Sequence, residues 1–290
     1  MAVLWMSATG QQVTVLERTR LLPNATEPVY YPVLDRTGTQ LLYSSGPSLG
    51  LNLLDLNARV SRVVTTQTVA GHDAFFGGDG NVYYVSQRRG DDKLVYRSAY
   101  MFDPSTGTTT QLAAEQHGAM RPVEATQGVA VVADGRLMAR GLEKGTAVWT
   151  VGDRLYLIVD GQQRVFSPVE AYAGYLWASL SPNGQRVAFF AAGKGIIVTD
   201  LRGQIVAMLG NYEMPSWLDD DYIVAQHATD DGHQFTSSQV VLLKADGTWQ
   251  HALTEPSSMT MHPSAAAGSV AYTTIDGHLY LMRIAINDEP

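Results

Sequence analysis

The stretch SLSPNGQRVAFFAAGKGIIVTDLRGQIVAML, residues 179–209, packs three apolar runs between glycine turns. Residues 186–190 and 195–198 are short β-rich runs, a third covers 204–209, and YLWASL (175–180) supplies a fourth just ahead of them. Asn183-Gly184 marks a tight turn, because both residues tolerate positive φ, and Arg202-Gly203 offers a second. The order strand, turn, strand, loop, strand, turn, strand predicts a four-stranded antiparallel meander. One such meander cannot bury both of its faces, so it needs neighbours built the same way.

The layout recurs along the chain. YYPVLDRTGTQLLYSS from Tyr30 has its turn at Thr37-Gly38, and GHDAFFGGDGNVYYVS from Gly71 has Asp79-Gly80 in the same place. RPVEATQGVAVVAD from Arg121 uses Gly128, and MPSWLDDDYIVAQH from Met214 and MHPSAAAGSVAYTT from Met261 repeat the pattern. With Tyr31, His72, Arg121, Trp177, Met214 and His262 as equivalent blade-start positions, successive spacings are 41, 49, 56, 37 and 48. Six units at such spacing predict an all-β fold, a six-bladed β-propeller. The series of turn glycines argues against a β-sandwich or a β-solenoid. Residues 121–170 hold about five strand candidates, including TAVWTV and RLYLIV, so a seventh short blade stays open. The last unit has only three strands, and QVTVLERT near the N-terminus is expected to supply its outer strand and close the ring.

Composition narrows the function classes. Apolar residues make up 45% of the 290, which allows a sizeable core, and charged residues only 17%. The net charge of −8 opposes nucleic acid or an anionic membrane surface as partner, since both call for a basic face. The absence of cysteine excludes disulfides, thiolate catalysis and Cys-ligated zinc. No apolar run reaches the roughly 18 residues needed to span a bilayer. MAVLWMSATGQQ resembles the end of a secretory signal peptide, with an apolar run at 2–6 and small residues Ala8 and Gly10 at a cleavage position. The expected organisation is therefore a signal remnant at 1–10 and a single propeller domain at 11–290, periplasmic or secreted.

The run SLSPNGQRVAFF, with MPSWLDDDYIVA one unit later, resembles the P-S-W-S-P-D-G-K-x-I-A-F repeat of the TolB-type (WD40-like) β-propellers. The match is good at Ser181-Pro182-Asn183-Gly184 and at Pro215-Ser216-Trp217. It is partial at His262-Pro263-Ser264, where Ala265 replaces the tryptophan, and faint in the first three units. The resemblance covers about half the chain and implies the propeller fold. It does not imply one function, because the same repeat occurs in periplasmic scaffolds, in propellers of prolyl-oligopeptidase-type peptidases and in some polysaccharide lyases. The α/β domain of TolB and the hydrolase domain of those peptidases are not expected in these residues.

Several motifs invite chemistry. Gly46-Pro47-Ser48-Leu49-Gly50 fits G-x-S-x-G, but a nucleophile elbow needs a helix after the serine, and LNLLDL reads as a strand. A lyase-type propeller of this resemblance implies histidine ligands for a divalent metal. Of the seven histidines (His72, His117, His227, His233, His251, His262 and His278) only His72 and His262 fall at blade starts, short of a ligand set. Asp219-Asp220-Asp221 and Asp230-Asp231-Gly232 lack the alternating oxygen spacing of a calcium loop and read as turns. Arg89-Gly90-Asp91 reads as loop composition. Asn24-Ala25-Thr26 is a glycosylation sequon, of consequence only in a eukaryotic secretory pathway. No cofactor and no metal are expected.

A channel mouth lined by Tyr31, His72, Arg121, Trp177, Met214 and His262 would suit a small ligand or an inserted peptide. The expected function is a non-enzymatic binding or scaffold propeller of the bacterial cell envelope, engaging a protein partner or a small ligand at that mouth. The alternative is a carbohydrate-active lyase or hydrolase using the same mouth.

Overall fold

Each inner hairpin turns where its residues allow it to. Gly38, Gly80, Gly128 and Gly184 sit at φ of 68°, 80°, 88° and 70°, and each follows the innermost strand of a different sheet. Where glycine is missing, an aspartate organises the turn: Asp219 Oδ1 accepts the backbone N–H groups of Asp221 and Tyr222, both at 2.8 Å. The acidic runs are thus turn chemistry. In the second, Asp230 Oδ1 takes the N–H of Gly232, and Asp231 Oδ1 takes those of His233 and Gln234.

The computed structural model describes residues 11–46, 48–138 and 144–288, and they form a seven-bladed β-propeller of antiparallel sheets. Blade one comprises Val29–Leu34, Gln40–Ser45, Gly50–Asp55 and Val60–Thr65. Blade two starts with the two-residue strand Phe75–Phe76, followed by Val82–Arg89, Val95–Asp103 and Thr108–His117. Blades three and four have three strands each: Met120–Glu124, Val129–Ala133 and Arg136–Leu137, then Thr146–Val151, Arg154–Val159 and Gln162–Val165. Blade five comprises Tyr175–Leu180, Arg186–Ala191, Gly195–Asp200 and Ile205–Gly210, the four-stranded meander expected over 175–209. Blade six holds Glu213–Trp217, Tyr222–Asp230, Phe235–Lys244 and Gln250–Ala252. Blade seven holds Thr260–Ala266, Ser269–Thr274 and Leu279–Asp288, with Gln11–Arg20 hydrogen-bonded along the last of these as a fourth strand.

The expected count of six is corrected to seven. The 56-residue gap between Arg121 and Trp177 conceals a blade start, because TAVWTV is the innermost strand of its own sheet. Both blades in that gap are short, so together they occupy little more sequence than one long blade. The signal-like segment 1–10 and Pro47 lie outside the described residues. Gly50 opens a strand, so no helix follows Ser48. Among the described residues no helix is long and apolar enough to cross a membrane.

The core sits between blades. Leu34, Leu41 and Leu54 of blade one pack on Ala271 and Leu281 of blade seven, and Val224 and Leu242 of blade six pack on Val270 and Met282 from the other side. Each such fully buried leucine or valine contributes about 1.5–3 kcal/mol relative to leaving it in water.

The innermost strands share a finer device. In blades one, five, six and seven the ladder slips by a β-bulge, between Tyr30 and Val33, Leu176 and Ser179, Glu213 and Ser216, and Met261 and Ser264. Inside each bulge one residue takes a left-handed backbone: Tyr31, Trp177, Met214 and His262, at φ of 50° to 53°. A β-bulge re-aims side chains, and in blades six and seven a serine two residues later joins neighbouring blades. Ser216 Oγ accepts the Ala265 N–H at 3.0 Å, and Ser264 Oγ accepts the Leu34 N–H at 3.0 Å.

Candidate functional site

The innermost strand of a blade has no further strand on its axial side, so the residues there face the channel. Counting back four residues from the turn-opening amides of Asp35, Gly77, Ala125, Ser181 and Leu218 places Tyr31, Asp73, Arg121, Trp177 and Met214 at equivalent positions. Sequence reasoning put His72 in blade two at this place; the register puts Asp73 there. The slip arises because that blade's inner strand is only Phe75–Phe76.

A cavity of about 820 Å³ runs among the inner strands. Its charged lining comes from His72 and Asp73 of blade two, Arg121 and Glu124 of blade three, Arg36 of blade one and Asp219 and Asp220 of blade six. Ser179 and Trp217 line it from blades five and six. At its rim Arg36 Nη2 donates to Glu124 Oε1 at 2.5 Å, bridging blades one and three past the two-residue inner strand of blade two. Burial pushes the Glu124 carboxyl up from its ordinary value, and the charge and hydrogen bond of Arg36 oppose that rise.

Deeper in, His72 Nδ1 lies 3.2 Å from Asp73 Oδ1. About half of each side chain remains accessible, 47% and 45%, so both groups are open to a ligand in the cavity they line. The hydrogen bond to Asp73 raises the His72 imidazole above its ordinary value, against the desolvation that lowers it. Burial pulls Asp73 up, but the hydrogen bond and charge of His72, with Arg121 and Arg97, outweigh it and hold the carboxyl low. Burial makes the Arg121 cation costly and lowers its pKa, with the Asp73 charge opposing. Its Nε is buried and has no hydrogen-bond partner.

Three of the six expected residues meet through their rings. Tyr31 lies 4.8 Å from His72 and 4.6 Å from His262, centroid to centroid. His262 Nδ1 bonds the Thr273 hydroxyl at 2.9 Å, and its backbone N–H donates to Gln226 Oε1. Burial, with the nearby charge of His72, lowers the His262 imidazole to about 4. His72 and Arg121 line the cavity, whereas Tyr31, Trp177, Met214 and His262 do not. Trp177 instead meets the Phe190 ring edge-on at 5.5 Å. Among the described residues no group of three metal-ligating side chains comes together.

Asp73, Ser179, Arg36 and Glu124 were missed as cavity residues, while Trp217 stood out as an aromatic candidate without a place in the expected mouth. Ser179, like Trp217, stands in the repeated motif, which by itself does not mark a cavity residue.

No protein-family model matches the sequence, and no curated protein matches it. Solved structures do. The chain is similar to the putative TolB of Agrobacterium tumefaciens at 13% identity and TM-score 0.54, covering 97% of this chain and 99% of that one. It is similar to TolB from Acinetobacter baumannii at 16% and 0.52, over 77% of this chain and 53% of that one, so it spans about half the length of that protein. An oligogalacturonate lyase in complex with manganese matches at 16% and 0.50, over 98% and 96% of the two chains. At such identities the likeness establishes the propeller fold and nothing more.

Proposed function

We propose that this chain is a binding propeller, acting without catalysis of its own, that takes a ligand or a segment of a protein partner into the central cavity. The observation that carries this reading is the cavity itself: about 820 Å³, within the range of ligand sites, with polar groups from several blades aimed at one space. The six residues read from sequence enter in two ways. His72 and Arg121 would touch the occupant, while the Tyr31 ring packs on His72 and is itself packed on by His262. Trp177 and Met214 belong to the bulge framework. The pairing of Gln11–Arg20 with the last blade is taken as closure of the ring, which fixes the relative positions of blades one and seven. An envelope or secreted location fits the apolar start of the sequence.

The test is affinity selection of small molecules and peptides from cell extract, native protein against Ala178→Trp. Ala178 lines the cavity without carrying its chemistry, so the larger side chain fills the space. A ligand retained by the native protein and lost by the variant is expected. Equal retention by both proteins, or none by either, refutes the cavity as the site.

A second reading, action on an acidic polysaccharide, is favoured by the likeness to the lyase over nearly all of both chains and by the His72–Asp73 pair in the cavity. Depolymerisation of polygalacturonate, abolished by His72→Gln, would establish it.

A further inference from the structure

Six buried side-chain polar atoms among the described residues have no hydrogen-bond partner, and three belong to residues lining the cavity: Arg121 Nε, Ser179 Oγ and Trp217 Nε1. Buried groups of this kind are rare in folded proteins, because each one unpaired sacrifices the hydrogen bonds it made to water. All three can donate, and for the guanidinium and the indole donation is the only option. They come from blades three, five and six, so no single local turn explains their grouping. Ser179 is the telling case. Its counterparts Ser216 and Ser264 accept amides of the next blade, and Ser179 has no such partner.

The charges around these donors select the acceptor. Arg36 is paired with Glu124, and Asp73 is shared between His72 and Arg121. That leaves Arg121 as the cation in reach of a ligand, with Asp73 its opposing charge. On the blade-six side stand two carboxylates; Asp219 accepts its own turn amides, and Asp220 Oδ1 accepts the Asn183 N–H at 2.9 Å. One anion is welcome beside Arg121. A second would meet Asp219, Asp220 and a chain of net charge −8. An amide-rich body, by contrast, presents N–H donors to those same carboxylates.

Resting on the cavity-binding reading above, we propose that the cavity seats the free carboxylate end of a short peptide, received by the Arg121 guanidinium with the Ser179 hydroxyl and the Trp217 indole N–H. An ionised acceptor is the partner that gains most from such donors. The cavity volume suits a ligand of several residues.

Calorimetric titration of the full chain tests this with three probes: trialanine, its C-terminal amide, and trigalacturonate. Trialanine is expected to bind, and the amide at least about tenfold more weakly, the value of a hydrogen bond to a charged group. Arg121→Gln is expected to lose about the same factor while melting close to the native protein, since the attraction to Asp73 that it loses is offset by removal of a costly buried cation whose Nε has no partner. Should that variant fail to fold, Ser179→Ala serves instead, with unchanged melting and several-fold weaker trialanine binding. Equal binding of acid and amide, both abolished by Ala178→Trp, overturns the carboxylate and leaves the cavity standing as a site. Trigalacturonate binding more tightly than trialanine overturns the peptide in favour of a polyanion. No trialanine binding overturns the proposal; the cavity reading then falls only if the extract selection also shows no ligand lost on Ala178→Trp.

Discussion

Ser264→Ala probes the seam between the last blade and the first. The Ser264 hydroxyl accepts the Leu34 N–H at 3.0 Å, with Leu34 7% and Ser264 8% exposed. Leu34 lies in the innermost strand of its sheet, so no further strand can replace the lost acceptor. An orphaned buried amide costs about 1–3 kcal/mol. For a chain somewhat above 250 residues, each kcal/mol shifts Tm by about 2–4 °C, so a fall of about 2–12 °C is expected. Ser216→Ala should cost a similar amount, because its hydroxyl holds the Ala265 N–H in the same way. Ser179→Ala should be neutral or slightly stabilising, since that buried hydroxyl has no partner. Calorimetric melting of all three variants at one pH measures the series. If Ser179→Ala melts as low as Ser216→Ala, or Ser264→Ala melts with the native protein, the serines do not join the blades.

Two further outcomes follow from the same geometry. Removing residues 1–20 takes away the strand paired along Leu279–Asp288 and the bond from Arg18 Nη2 to the Leu253 carbonyl, so lower melting or aggregation through the exposed edge is expected; a truncated chain melting with the full one would show that closure by this strand is wrong. The His262 imidazole, at about 4 when folded against 6.5 as its ordinary value, binds its proton more readily unfolded, so its contribution to stability falls as pH drops from 6.5 towards 4. His262→Gln should flatten that part of the urea-denaturation profile, and an unchanged slope would count against a buried neutral imidazole.

The fold was legible because its signals are local. Asn183-Gly184 and Thr37-Gly38 dictate turns from two residues, and the apolar runs between them form strands without distant help. The blade count was not legible. In 121–170 the blades shrink to three strands, and Arg136–Leu137 is too short to register as one, so spacing alone merged two units. The site was legible only in part. Of the residues placed by counting from turns, His72 and Arg121 line the cavity, whereas Asp73 escaped by one residue because blade two has almost no inner strand to count along. Ser179 and Trp217 could not be found that way. A motif residue differs from its repeats only in what the neighbouring blade offers it, and that depends on three-dimensional register.

Repetition and its failures accordingly serve different ends. In four blades the inner strand holds a non-glycine residue in a left-handed conformation, a strain of about 1–3 kcal/mol each. In blades six and seven the inner strand also tethers the next blade through a serine, at Ser216 and Ser264. Those bulges are tied up in building the ring. Where the pattern breaks, the axial position is released from that task. Blade three runs in regular register and carries Arg121; blade two has an inner strand of only two residues and carries Asp73 beside His72; blade five keeps the bulge but leaves Ser179 untethered. All four of these residues line the cavity. Local rules hold throughout a framework and are expected to break at positions that serve function, which is the role proposed for these four. On that logic, restoring the motif should remove the site while strengthening the fold, and Arg121 and Ser179 are the residues at which the two can be separated.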